Sequence, residues 1–351
     1  MEPVTHFLFG AVMSRAGLNR KTALATATLT LAAEAPDLDV LGRFGGSAFG
    51  FSHHRGFTHS LLGIPLVAGA VVAFIYLLWR LRGRKTRNPS LPPRWGLLFA
   101  FACLAGLSHL LLDFTNNYGV RPFWPFSERW YSWDIIFIVE PVLLVVLILG
   151  LILPSLFSLI NEEIGARSRP PGKLAATLAL LTVFVYWGLS DYEHRRALDA
   201  LEARSYQRVN AFRVSAYPYM TNPFRWYGVV ETPAFFASMD VDSLTPDVDP
   251  EGRMRIRYKP EDTPATLAAK ETYLGRVYLS WAQYPITETE DLANDPVENA
   301  RAAYTVRFRD LRYDYPGSPG RNTLGAVVFL TRDLGVVEER FGLGSAGRNR
   351  K

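Results

Sequence analysis

Four long apolar runs constrain this chain more than any other feature: residues 61–79, 96–112, 135–160 and 174–190. Each is near the length of about 20 residues that an α-helix needs to cross a hydrocarbon core. Residues 142–153 are apolar on every face, which suits a membrane span better than a helix on a water-facing core. The chain therefore reads as an integral membrane protein. Its 351 residues leave room for a second domain. The start Met1-Glu2-Pro3-Val4-Thr5-His6 lacks a basic leader, so the first strong run is expected to act as the insertion signal. Cys103, the single cysteine, lies inside a run, which rules out an intramolecular disulfide.

The net charge of +5 is explained mainly by loops beside the runs. Arg80, Arg82, Arg84, Lys85, Arg87 and Arg94 separate the first two, and Arg167, Arg169 and Lys173 separate the last two. Such loops stay on the cytoplasmic side of an inner (plasma) membrane protein. Residues 114–133 and everything after 190 are then expected to be extracytoplasmic. A nucleic-acid partner is not expected, because the basic loops and the soluble region fall on opposite sides; membrane lipid is.

Two domains are expected. Residues 1–190 would form an α-helical membrane-embedded bundle. Within it, residues 5–16 and 21–35 read as two short helices around a basic turn, each too short to cross alone and tolerable as a hairpin buried by protein. Residues 191–351 would form a small, mainly antiparallel β domain. A charged helical stretch at 191–209 leads to alternating segments at 253–259, 273–282, 304–315 and 324–331, period two being the mark of a half-exposed strand. Residues 217–219 and 222–226 suggest a loop near the membrane, with core packing the preferred role, and 342–351 reads as a disordered tail.

The chemistry concentrates in the N-terminal part. Five of six histidines lie within the first 109 residues. His109 and Asp113 stand four residues apart at the end of the second run, on one helix face and about 6 Å apart along the axis. Ionisable groups in a span are costly and mark function by default. The segment Ser52-His53-His54-Arg55-Gly56-Phe57-Thr58-His59-Ser60 is dense in imidazole. There Thr58 could cap a helix starting at His59, and Arg55 could hold a phosphate or carboxylate in bidentate fashion. Ala35-Pro36-Asp37-Leu38-Asp39 offers two hard oxygen ligands, and Glu140 falls near the same membrane face. Mixed His and Asp ligands without thiolate suit zinc first, and also manganese or iron. No Gly-x-Ser-x-Gly elbow or Walker-type phosphate loop occurs.

Taken together, His6, Ala35-Pro36-Asp37-Leu38-Asp39, His54-Arg55-Gly56-Phe57-Thr58-His59-Ser60 and His109-Leu110-Leu111-Leu112-Asp113 resemble the membrane-bound metal-dependent hydrolases of the YdjM-like family, over roughly residues 1–190. That family is distantly similar to zinc-dependent phospholipase C and P1-type nucleases. The resemblance implies a phospholipase C/P1 nuclease-like helical bundle and His6, Asp37, His59, His109 and Asp113 as metal ligands. It also implies hydrolysis of a phosphoester or lipid-type ester. Asp39 is expected as a further ligand or general base, and His54 and Arg55 as groups that position a charged substrate. The chain departs from the larger group in lacking an N-terminal tryptophan and a second His-x-x-x-Glu after Asp113, so one or two ions are expected rather than three. The alternative is a non-catalytic membrane protein with a structural metal site and a partner-binding β domain.

Overall fold

The computed structural model describes residues 1–86, 88–163, 172–292, 302–316 and 324–342. The expected tail and the loop cations Arg87, Arg167 and Arg169 lie outside the described residues. By contacts the chain divides into two units: residues 1–39, 55–193 and 218–223 form the first, and residues 40–54, 194–217 and 224–351 the second.

The first unit is helical. The two short N-terminal helices are α1 (Pro3–Arg15) and α2 (Ala25–Glu34). Proline at the start of α1 costs no hydrogen bond, and Glu2 caps Thr5 N–H. The two helices approach closely because Gly10 leaves room: a Cβ there would stand 2.7 Å from the Leu29 carbonyl oxygen. A 3₁₀ segment, Ala35–Gly45, follows. After α3 (Ser47–His53) and a 3₁₀ turn at Phe57–His59 come the long helices. These are α4 (Gly63–Leu81), α5 (Trp95–Phe114), α6 (Pro141–Glu163) and α7 (Gly172–Glu202).

Helices α4, α5 and α7 are long and apolar enough to cross a membrane, and α6 adds an apolar stretch over Pro141–Phe157. The core joins Phe9, Val12 and Met13 of α1 to Leu29 and Ala33 of α2 and to Leu98, Ala102 and Ala105 of α5, with Leu143, Leu147, Val183 and Trp187 from α6 and α7. Leu66, Phe74, Leu77 and Val185 are exposed on the outer faces. Lipid satisfies such surface where water would not.

Two expectations for this unit are corrected. The third apolar run does not enter a helix at 135: residues 135–140 are extended, Ile136 bridges Asn116, and the helix begins at Pro141. Proline is well placed there and disfavours helix at the residue before it. No helix starts at His59 under a Thr58 cap either. His59 closes the 3₁₀ turn, and α4 begins at Gly63 without a side-chain cap.

The second unit holds two antiparallel sheets. In the five-stranded sheet, β1 (Arg213–Tyr219), β2 (Asn222–Glu231) and β3 (Phe235–Asp242) run in order. The far edge of β3 is shared by β4 (Asp247–Val248) and β5 (Arg255–Tyr258). The C-terminal part of α7 covers one face through Ala197 and Leu201, against Trp226, Val230, Met239 and Val241. Next come α8 (Pro264–Glu271) and α9 (Tyr273–Trp281). The four-stranded sheet follows with β6 (Pro285–Asp291), β7 (Tyr304–Asp310), β8 (Ala326–Leu330) and β9 (Val336–Phe341) in order. Phe51 of α3 packs edge-on to Trp281 and stacks on Phe341. Thus 217–219 and 222–226 lie in strands rather than a loop, with Tyr217 and Trp226 packed in the core, and 273–282 is helix rather than strand.

Candidate metal centre

The carboxyl end of α5, the 3₁₀ segment after α2 and the turn before α4 bring Asp37, His59, His109 and Asp113 together. One ligand atom from each lies within 4.8 Å of all the others. His59, His109 and Asp113 are fully buried, and the Asp37 side chain is 19% exposed. His59 Nε2 and His109 Nε2 are 3.0 Å apart. His59 Nε2 is 3.4 Å from both Asp37 Oδ1 and Asp113 Oδ2. His109 Nε2 is 3.6 Å from Asp37 Oδ1 and 3.5 Å from Asp113 Oδ2. Four ligands at zinc-like bond lengths define a tetrahedron with edges of about 3.4 Å. The five separations that involve an imidazole, 3.0–3.6 Å, match that edge, and the donor set suits a divalent ion. Asp113 Oδ2 is buried and has no hydrogen-bond partner among the described residues, an orphaned acceptor that a cation would satisfy.

Each imidazole is aimed by its other nitrogen. His109 Nδ1 is 2.7 Å from the Ala33 carbonyl oxygen, which fixes the proton on Nδ1 and leaves Nε2 facing the cluster. His59 Nδ1 is 3.2 Å from Asp39 Oδ2. Asp39 also accepts from the Arg55 backbone N–H at 2.7 Å. It is thus set on the outer nitrogen of His59, not among the four converging atoms.

Arg55 is buried and takes a left-handed φ of +52°. Its guanidinium donates to Asp113 Oδ1 at 2.8 Å and to the Gly119 carbonyl at 2.8 Å, and it lies over the Tyr118 ring. The backbone N–H of Arg55 and its side chain therefore fix one acid each, and the α-amino group of Met1 also contacts Asp113 Oδ1. Asn116 is buried in the same network, accepting from Tyr118 N–H at 2.8 Å.

His6 is fully buried and stacks on His109 at 3.7 Å between ring centroids. Its Nε2 is 3.4 Å from Asp113 Oδ1, the oxygen turned away from the four-atom group, and neither ring nitrogen has a hydrogen-bond partner among the described residues. His54 belongs to the second unit and is not one of the four. Glu140 is also elsewhere: it accepts from the backbone N–H groups of Val142 and Thr221. Sequence reasoning missed the Ala33 and Gly119 carbonyls, because backbone groups carry no residue signature.

The electrostatics of the cluster's own side chains are those of buried imidazole set among carboxylates. Burial opposes charge on His59, but the adjacent carboxylates of Asp113, Asp37 and Asp39 outweigh that and push its pKa up to about 10. Burial acts to raise Asp37, and the His59 hydrogen bond and His109 overcome it, holding the carboxyl at about 2.

Apolar helices long enough to span a bilayer, with a buried His/Asp cluster at one end of them, define a membrane protein with a candidate metal centre. The chain belongs to the YdjM inner membrane protein family, whose model matches residues 1–195. It is 24% identical over 348 residues to YfhP of Bacillus subtilis (strain 168), described as an uncharacterized protein; the match covers 96% of this chain and 93% of that one. No solved structure matches.

Proposed function

We propose that this protein is a membrane-bound metal-dependent hydrolase acting on a phosphoester or lipid-type ester at the outer face of the inner membrane. The observation that carries the reading is the set of four converging ligand atoms, with both imidazole Nε2 atoms 3.0 Å apart and 3.4–3.6 Å from a carboxylate oxygen of Asp37 and of Asp113. Asp37, His59, His109 and Asp113 would hold the ion, zinc before manganese or iron. A divalent ion there supplies Lewis acidity, which polarises an ester and lets water attack near neutral pH. Asp39 and the Ala33 carbonyl keep the two imidazoles turned inward, and Arg55 holds Asp113 by one oxygen so that the other faces the ion. In this reading Asp39 works through His59, and Arg55 through Asp113, rather than on substrate. His6, beside Asp113 Oδ1, would help hold a second ion. Asp37 is the most exposed of the four and marks the side from which substrate arrives.

Chain direction supports the outer-face reading. The cluster gathers at the start of α4 and the end of α5, and the basic loop joins their opposite ends. The β-rich second unit is then extracytoplasmic. One observation favours a second reading, a structural metal site: the cluster already offers four protein ligands, the number that closed structural sites use.

Turnover separates the two. Detergent-purified protein loaded with zinc or manganese is assayed on phosphomonoester, phosphodiester and carboxyl ester chromogens, beside His59→Ala. Ion-dependent hydrolysis lost in His59→Ala supports the hydrolase. Ion-loaded protein that is no faster than the free ion on every ester overturns it and leaves the structural site.

A further inference from the structure

We propose that a cavity in the second unit, between β3, β5 and the chain after β7, binds a small molecule carrying a phosphate or carboxylate group on a short apolar body. The cavity measures about 280 Å³. At roughly 30 Å³ per water, that is about nine waters, room for a phosphate with a small organic group.

Strand register builds its charged wall. Ser238 of β3 pairs with Arg255 of β5, and Phe236 with Arg257. Directly paired residues share a sheet face, so both guanidinium groups, the hydroxyl and the phenyl ring project to one side and line the cavity. Leu311 and Asp314 close it from the segment that follows β7.

The charge there is unbalanced. Asp314 Oδ2 is 3.3 Å from Arg257 Nη2, and its Oδ1 is 3.1 Å from Arg309 Nη2. Glu288 stands 3.6 Å from Arg257 and 3.5 Å from Arg309. Two carboxylates thus offset the charges of Arg257 and Arg309 and leave that of Arg255 in excess. Arg255 makes no ion pair among the described residues. Arg257 Nη1, moreover, is buried and makes no hydrogen bond among them, its ion-pair partner Glu288 Oε1 standing at 3.6 Å, beyond hydrogen-bond reach. A buried donor without a hydrogen bond is costly, and an oxyanion within reach supplies one. The planar fork of arginine matches carboxylate and phosphate oxygens, Ser238 adds a hydroxyl, and Phe236 and Leu311 receive the apolar part. This site is independent of the hydrolase reading.

The test is calorimetric titration of full-length protein in phosphatidylcholine nanodiscs with phenyl phosphate, after metal removal by chelation so that the His/Asp cluster does not contribute. Saturable binding is expected, weakened about tenfold or more in both Arg255→Gln and Arg257→Gln, since a charge-assisted fork is lost. It should be unchanged in Arg253→Gln, whose side chain is 68% exposed and paired with Glu251. Arg255 has no ion pair to lose among the described residues, so its variant keeps the fold, which near-ultraviolet circular dichroism checks. Nanodiscs containing phosphatidylglycerol distinguish the source. Weakened phenyl phosphate binding there identifies a lipid headgroup as the oxyanion, and unchanged binding identifies a soluble one. No saturable binding, or equal affinity in wild type and Arg255→Gln, overturns the proposal.

Discussion

At the residue scale, the centre depends on how each ligand is held as much as on which ligands are present. Asp39 illustrates this. It lies two residues from Asp37, and sequence reasoning could place either on an ion. The structure separates them: Asp37 Oδ1 faces both imidazole Nε2 atoms, and Asp39 Oδ2 faces the outer nitrogen of His59. A carboxylate in that position orients the ring and raises its basicity, and its loss typically lowers metal affinity about 10- to 100-fold. Asp39→Asn is therefore expected to keep the site but weaken zinc binding by that factor in a competitive chelator titration. Unchanged affinity would show that His59 is oriented without it. The His109/Asp113 spacing was legible in the sequence because a helix has a fixed period. The inward turn of Arg55 was not legible, because it follows from a left-handed backbone at a non-glycine residue and from the Gly119 carbonyl, which is remote in sequence.

At the scale of elements, Gly63 links a span to the site. A Cβ there would collide with the Phe57 carbonyl oxygen, which belongs to the turn that carries His59. Gly63→Ala must therefore displace that turn or the start of α4. Metal binding should fall sharply in this variant although every ligand is intact, as elemental analysis after gel filtration would record; full occupancy would mean the turn yields without moving His59.

The apolar runs were legible as helices because length and uniform hydrophobicity leave few alternatives in lipid. The β-rich region was less so. Residues 273–282 look alternating, yet Tyr273, Leu274, Val277, Tyr278 and Trp281 also share one helical face, and Thr272 caps the Gly275 N–H. Pro218 and Pro223 suggest loop, but β1 is an edge strand and Pro223 stands near the start of β2, where prolines are tolerated.

The second unit also carries a pH signature. Burial pushes the Tyr284 hydroxyl up to about 12, against the bond to Ser215 and the nearby Arg213 that lower it. A phenol whose pKa is higher folded than unfolded gives stability that is complete below about pH 10 and lost as pH rises towards 12. The difference between those two values is worth at most about 2–3 kcal/mol. Alkaline denaturation between them should be shallower in Tyr284→Phe; an unchanged slope would assign the loss to other groups.

At the scale of the whole molecule, function depends on sidedness. Cys103 is the single cysteine, so a Cys103→Ser background permits site-specific labelling. With an impermeant maleimide on intact cells, Phe212→Cys, at a position 79% exposed, should label, and Arg84→Cys in the basic loop should not. The reverse pattern would put the second unit in the cytoplasm. The central claim is that four residues distant in sequence form one metal centre. Its most direct test is elemental mass spectrometry of detergent-purified wild type beside Asp113→Ala and His59→Ala. One or two equivalents of a transition metal in wild type, lost in both variants, is the predicted result. No metal in wild type after reconstitution with zinc or manganese, or full retention in both variants, would contradict the account.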